Sequence, residues 1–448
     1  MNKIRQYFST FTVIRGLSIA LLSSAFIYLA YWGFSHPFLN TVLALTTLYL
    51  LLQEEKKVWF FTGLFIGLFW FWWIALSLQH YGMTWAVPIE IIIIMLSYGT
   101  IFWGIAWTAE KLSSIIANIH VGWIHPPKYS TPSRPKVGEP TLHELIIKTI
   151  GLLVVSYIHP FSFDWLKPEL MFIESYIGIE KWQFTIVLLA ITLSIWKQQF
   201  LFLLLVVFAY QPNTVSHQSI DKTIALITTH TSVQDKWNKT LHQLQFDDVF
   251  KTIDQAIVDK KQLIIFPESI FPIFLNRSEA LMNTFQEKAK HISIVTGGLY
   301  WDGKTPRNST YIFTEDNITI ANKVVLVPFG ESNPLPDFLS DWVNEVFYDG
   351  AVDYIASTEV TNYKINGTTY RNAICFEATS EILYQKDRHG NFPQNMIVLS
   401  NNGWFHPSIE SSLQKLLLQY YSEKYGTTIY HSVNMSESYV IQNGKVRE

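Results

Sequence analysis

The sequence runs to 448 residues, enough for two or three domains, with 49% hydrophobic and only 15% charged residues, where a soluble domain carries about 25% charged. A formal net charge of -3 and the absence of a basic stripe in the second half give no footing for nucleic-acid binding. One cysteine, Cys375, excludes an internal disulfide and a multi-cysteine metal site; the plainest reading of a lone cysteine is a small buried hydrophobe.

The charge deficit lies in the first half. A bilayer-crossing helix needs about 20 mostly apolar residues. Residues 11–34, 37–53, 58–79 and 85–107 qualify, and 144–160, 179–196 and the shorter 198–210 follow, so seven spans are expected. The first run follows Lys3 and Arg5, is long for a signal-peptide core and lacks a small-residue cleavage site, which makes it a retained anchor. Cations fall in alternate loops: Lys3 and Arg5, then Lys56 and Lys57, then Lys111, Lys128, Arg134 and Lys136, then Lys197. That alternation predicts a cytoplasmic N-terminus and, after seven crossings, an outer location for everything beyond residue 210. Trp32, Trp59, Trp85, Trp107 and Tyr210 suit interfacial belts, while Trp70, Trp72 and Trp73 suit lipid-facing or packed positions. Residues 124–140, with five prolines, read as a cytoplasmic loop.

From about residue 220 the pattern changes, so the chain is expected to divide into a transmembrane domain at 1–215 and a second domain at 216–448. Strands are predicted at 222–228, 262–266, 292–296, 309–313, 318–327, 371–376, 395–400, 428–433 and 438–442, and helices at 234–260, 277–290, 378–388 and 408–425. Such alternation gives an α/β or layered α+β domain.

Three segments place polar residues directly after apolar strands, where α/β scaffolds tend to carry catalytic side chains. QLIIFPESIFP carries Glu268; NKVVLVPFGESNPLP carries Lys323 within a predicted strand and Glu331 at its exit; RNAICFEATSE carries Cys375 and Glu377. A cysteine is a strong nucleophile as thiolate, a carboxylate takes its proton, and an ammonium stabilises the oxyanion. Each residue alone also has a plainer use: Glu268 as a helix N-terminal charge, Lys323 as an edge-strand gatekeeper, Cys375 as core. Spacing alone does not choose among these.

The three segments resemble those of the nitrilase, or carbon–nitrogen hydrolase, superfamily, which implies an αββα sandwich with a Glu–Lys–Cys triad. The set FPES, K-x-x-L-V-P-F-G-E and I-C-F-E, joined to a polytopic first half, is similar to the bacterial apolipoprotein N-acyltransferase family. QDKW at 234–237, RNSTYIF at 307–313 and LSNNGWF at 399–405 resemble further pieces of it. The resemblance implies that Cys375 is the acylated nucleophile, Glu268 the general base and Lys323 the stabiliser of the tetrahedral intermediate. It makes Glu331, Glu377 and Asn308 supporting residues, and assigns Trp237, Phe376 and Trp404 to substrate binding. It implies a phospholipid acyl donor, a diacylated lipoprotein acceptor, no metal or organic cofactor, and a multi-pass protein of the bacterial inner membrane with its catalytic domain on the periplasmic side. A membrane-anchored amidase or nitrilase acting on a small substrate is the alternative, and a transporter or scaffold with a vestigial domain is a third.

The sequence departs from that family in three places. Phe376 stands where a Tyr is usual. No apolar run follows the catalytic region before Glu448, where a further span is usual. SSLQKLLLQYYSEKYG replaces an Arg-rich helix after Trp404, which bears on how partners or substrate are handled.

Overall fold

The computed structural model describes residues 9–123, 140–159, 163–212, 221–328, 330–332 and 354–447. They fall into two compact units: residues 9–79, 83–123, 140–159 and 166–212 in the first, and 80–82, 163–165, 221–328, 330–332 and 354–447 in the second.

The first unit is helical. Helices α1 (Thr10–Tyr31), α2 (Pro37–Gln53), α3 (Lys56–Phe71), α4 (Val87–Trp123), α5 (Leu142–Val155) and α6 (Lys181–Lys197) come with 3-10 helices at Trp72–Tyr81, after α3, and at Phe200–Ala209, after α6. Their starts follow local chemistry. The Ser9 and Thr141 hydroxyls accept the Thr12 and Glu144 N–H groups, Pro37 opens α2, and Glu180 with Gln183 forms a capping box. Gly63 sets the closeness of α3 to α4, since a Cβ there would lie 2.5 Å from the Tyr98 carbonyl oxygen.

Helical segments stand at all seven places where spans are predicted. By length and composition, three are long and apolar enough to cross a membrane: Thr10–Tyr31, Lys56–Tyr81 and Thr84–Ala117. The fourth helix runs on to Trp123, past the predicted end at 107, so Lys111 is helical rather than in a loop. The last segment is a 3-10 helix. Most of the cationic loop that fixes the orientation, 124–139, lies outside the described residues, as do Lys3 and Arg5.

The second unit has four layers. One sheet orders its strands β1 (Ile224–Leu226), β2 (Leu263–Ile265), β4 (Ser293–Trp301), β5 (Pro306–Phe313) and β6 (Ile318–Asn322), with β3 (Phe271–Phe274) pairing β4. The other runs β12 (Lys445–Arg447), β11 (Tyr439–Gln442), β10 (Thr428–Asn434), β9 (Asn395–Asn401), β8 (Thr368–Ile374) and β7 (Asn362–Ile365). Two-residue periodicity decides which side chains enter which layer. Leu263 and Ile265 meet Tyr363, Ile397 and Leu399 between the sheets, while Ile264 faces outward beneath α8 (His242–Val258) and α9 (Glu279–Ala289). Helix α10 (Glu410–Tyr425) packs on β10, β11 and β12. The result is the αββα sandwich.

All nine predicted strands form; β3, β7 and β12 are additional. The predicted 234–260 helix is broken into α7 (Val233–Trp237) and α8, because the Asn238 side chain accepts the Thr240 N–H and closes a turn between them. No α-helix forms at 378–388. Two 3-10 turns, Cys375–Thr379 and Glu381–Tyr384, stand there, and Arg371 binds the Leu383 and Gln385 carbonyls that a helix needs. The strand predicted over 318–327 stops at Asn322, so Lys323 follows a strand rather than sitting inside one.

Candidate active site

The early stop of β6 comes from side chains that capture its N–H groups. Lys323 N–H still donates to the Asn308 carbonyl, but Val324 and Val325 donate to Glu377 Oε2 at 2.7 and 3.1 Å, and Val327 donates to Glu331 Oε2 at 2.9 Å. Glu377 also accepts the Ile374 N–H through Oε1 at 2.7 Å. One buried carboxylate thereby ties the segment after Lys323 to the strand that delivers Cys375.

The Asn308 amide joins two further carboxylates. It donates from Nδ2 to Glu268 Oε1 at 2.8 Å and to Glu331 Oε1 at 2.7 Å. Lys323 Nζ lies 2.8 Å from Glu331 Oε2, an ion pair without hydrogen-bond alignment, and the side chain is 1% exposed. An edge gatekeeper faces solvent, so that reading of Lys323 fails. Glu268 is not at a helix start either: it sits in a turn after β2, with Ser269 at φ 49°. Gly297 on β4 permits this turn, because a Cβ there would come 2.5 Å from Ser269 N and 2.8 Å from Glu268 Cα. Cys375 itself adopts φ 52°, a strained value for a non-glycine residue of the kind that clusters at functional sites. Its side chain is not fully buried.

Electrostatics follow from burial. Desolvation pushes the Cys375 thiol well up, the Glu268 charge adds to this, and Lys323 and the Asn401 N–H oppose it. Desolvation also raises Glu268, against the pull of Lys323 and Asn308. Glu377 is pushed up to about 7 by burial, against Lys323 and its three N–H donors. Burial alone would lower Lys323, but Glu331, Glu268, Cys375 and Glu377 reverse the sign and hold it as an ammonium. Among the described residues, no group of three or more His, Cys, Asp or Glu side chains is arranged to hold a metal.

Glu268, Lys323, Cys375, Glu331, Glu377 and Asn308 therefore meet in one cluster. Phe376 is buried beside it, stacked on Phe163 at 5.7 Å and Trp165 at 6.3 Å. Trp404 stacks on Tyr81 at 5.9 Å, and the Tyr81 hydroxyl donates to the Gly330 carbonyl in the Glu331 turn. Trp237 is 40% exposed at the end of α7, and none of the described contacts joins it to the cluster. Two neighbours of the cluster are not legible in the sequence. Lys236, not Trp237, is the residue of QDKW that reaches inward: it is 1% exposed and donates to the Glu268 carbonyl at 3.1 Å. Glu410, in the first turn of α10, is 3% exposed and within charge reach of both Cys375 and Glu268. A glutamate at a helix start carries no signal of either property.

Comparison with known proteins gives the following likenesses. A family model described as the apolipoprotein N-acyltransferase integral membrane domain matches residues 10–130 and 140–212. Apolipoprotein N-acyltransferase of Wolinella succinogenes is 35% identical over 427 residues, covering 94% of each chain. That of Campylobacter jejuni is 32% identical over 446 residues, covering 96% of this chain and 90% of its own. Among solved structures, a CN-hydrolase superfamily protein from Xanthomonas campestris is 14% identical with a TM-score of 0.37, over 50% of this chain and 84% of its own.

Proposed function

This chain belongs to the apolipoprotein N-acyltransferase family, and from that premise we propose that it moves a fatty acyl group from a membrane phospholipid, through a thioester on Cys375, to the α-amino group of a lipoprotein's N-terminal diacylglyceryl-cysteine. Glu268 takes the thiol proton as Cys375 sulfur attacks the donor ester. Lys323, kept cationic by its carboxylate neighbours, stabilises the oxyanion of the tetrahedral intermediate. Collapse expels the lysophospholipid oxygen, which takes the proton back from Glu268. The acceptor amine then attacks the thioester, and the departing Cys375 sulfur is reprotonated. Asn308, Glu331 and Glu377 position this set, and Phe376, Trp404 and Trp237 handle the lipid substrates. The protein resides in the bacterial inner membrane with its second unit on the periplasmic side. The carbon–nitrogen hydrolase alternative uses the same triad, but relatives matched along nearly the whole chain favour transfer.

The observation that carries the mechanism is the unbroken polar cluster of Glu268, Asn308, Glu331 and Lys323 around a strained cysteine. Its test is intact mass after incubation with phospholipid. The wild type is expected to gain one fatty-acyl mass that neutral hydroxylamine removes, and Cys375→Ser to gain none. Glu268→Gln is expected to slow adduct formation by about 10²–10⁴-fold, and a diacylglyceryl-cysteine peptide to discharge the adduct faster than buffer. No adduct on the wild type overturns the thioester route, and equal discharge with and without the peptide overturns the transferase reading.

A further inference from the structure

Acyl transfer to an amine leaves a proton unaccounted for in the triad. An α-amino group has an unperturbed pKa of about 7.7–8.0, so at neutral pH the acceptor arrives mostly as an ammonium. It must lose one proton before its lone pair can attack and a second once the C–N bond has formed. One of the two returns to the Cys375 sulfur as the C–S bond breaks. The other leaves the site, and Glu268, which cycles one proton between nucleophile and leaving group, cannot hold both.

The other carboxylates beside Cys375 are occupied. Both oxygens of Glu377 accept backbone N–H groups, and those of Glu331 are taken by Asn308, Val327 and Lys323. Glu410 differs. Its backbone N–H donates to Ser408 Oγ, but among the described residues its carboxyl carries no hydrogen bond and no ion pair. A buried carboxyl without a partner is costly to keep unless it stays protonated or exchanges its proton. Helix α10 begins at this residue and packs against the Cys375–Thr379 turn, so the carboxyl is delivered to the nucleophile's side of the sandwich.

We propose that Glu410 is the second proton acceptor of the site and takes the proton that the incoming α-ammonium sheds before its nitrogen attacks the thioester. This rests on the transfer reading above. The step balances: the carboxylate gains the proton, the amine gains its free pair, and the proton later passes to solvent. The groups around Glu410 suit the role. Burial, with the Glu268 charge adding, pushes its carboxyl up to about 8, close to the amine it serves. Cys375, Glu268 and Tyr439 lie within its charge reach. His431, which packs edge-on against Tyr439 at 5.0 Å, is lowered to about 3 by burial and stays neutral. Glu381 and Lys424 pair with each other, Lys424 standing at the far end of α10.

The test separates the two half-reactions in Glu410→Gln, whose amide imitates the protonated acid. Acyl-enzyme formation from phospholipid, read by intact mass, is expected to change little. Discharge of the acyl-enzyme to a diacylglyceryl-cysteine peptide at pH 6.5 is expected to slow by about 10–100-fold, with the deficit shrinking above pH 8.5 as solvent deprotonates the amine. Glu410→Asp, which keeps a carboxyl, is expected to retain more transfer than Glu410→Gln. Wild-type transfer rates in Glu410→Gln at pH 6.5, or equal and pH-independent losses in both half-reactions, overturn the proposal. So does loss of acylation in both variants, which makes the residue structural. Failure of the wild type itself to acylate, or to discharge faster with the peptide, instead overturns the transfer reading beneath it.

Discussion

Asn308 works by holding two carboxylates with one amide. Its Nδ2 hydrogens reach Glu268 and Glu331, while its buried Oδ1 has no partner among the described residues. The hydrogen bond to Glu268 lowers a carboxyl that burial raises. Removing it raises that carboxyl further, so less of the base is ionised at any given pH. The low-pH limb of acyl-enzyme formation should therefore move to higher pH in Asn308→Ala. A hydrogen bond to a charged group contributes about 1.5–3 kcal/mol, so the rate at pH 7 should fall by about 10–100-fold and recover in part as pH rises. Asn308→Asp, which puts a third carboxyl between two, should be worse than Asn308→Ala. An unchanged pH limb in the alanine variant rules out this role. The sequence exposes Asn308 only through the likeness of its segment RNSTYIF to the family's; nothing in its local pattern says that it bridges Glu268 and Glu331, forty and twenty-three positions away.

Elements were legible where two-residue periodicity or a cap decides them, and illegible where a side chain takes over the backbone. Leu263–Ile264–Ile265 announces β2 because its alternate side chains fill opposite layers. The end of β6 is hidden because Glu377, distant in sequence, takes the Val324 and Val325 N–H groups that would have continued the ladder. The missing helix at 378–388 has the same kind of cause in Arg371. Strand β4 imposes a further constraint that composition does not reveal. Gly297 lies against the turn that carries Glu268, and the atoms an added methyl would meet are backbone, which has no rotamer to yield. Gly297→Ala should displace Glu268. Overpacking of this kind costs about 1–3 kcal/mol, and the variant should lose thermal stability together with at least about tenfold in Cys375 acylation. Normal acylation in a variant with lowered melting temperature would show that the turn tolerates the shift.

Across the whole chain, the side on which the second unit stands depends on the parity of crossings, and the last two segments cannot change that parity separately. Helix α6 and the 3-10 helix Phe200–Ala209 form a hairpin that closes on itself. Gly178 N–H donates to the Ala209 carbonyl, Gln211 N–H donates to the Tyr176 carbonyl, and Ile177 bridges Tyr210. The chain thus leaves and returns at one level. Ten residues cover most of the return, because a 3-10 helix rises about 2.0 Å per residue against about 1.5 Å in an α-helix. The two segments add two crossings or none. Two short stretches of the first half, His80–Gly82 and 163–165, are built into the second unit, with Trp165 Nε1 donating to Thr379 Oγ1 at 2.6 Å. They fall after the third and fifth helical segments, in the loops that the alternation of cations places outside. Reporter fusions after residues 175 and 300 should therefore both read as periplasmic, and a fusion after 128 as cytoplasmic. A split between 175 and 300 would break the hairpin argument. Both reading as cytoplasmic would mean that α5 does not cross, and would move Cys375 to the side opposite the one proposed.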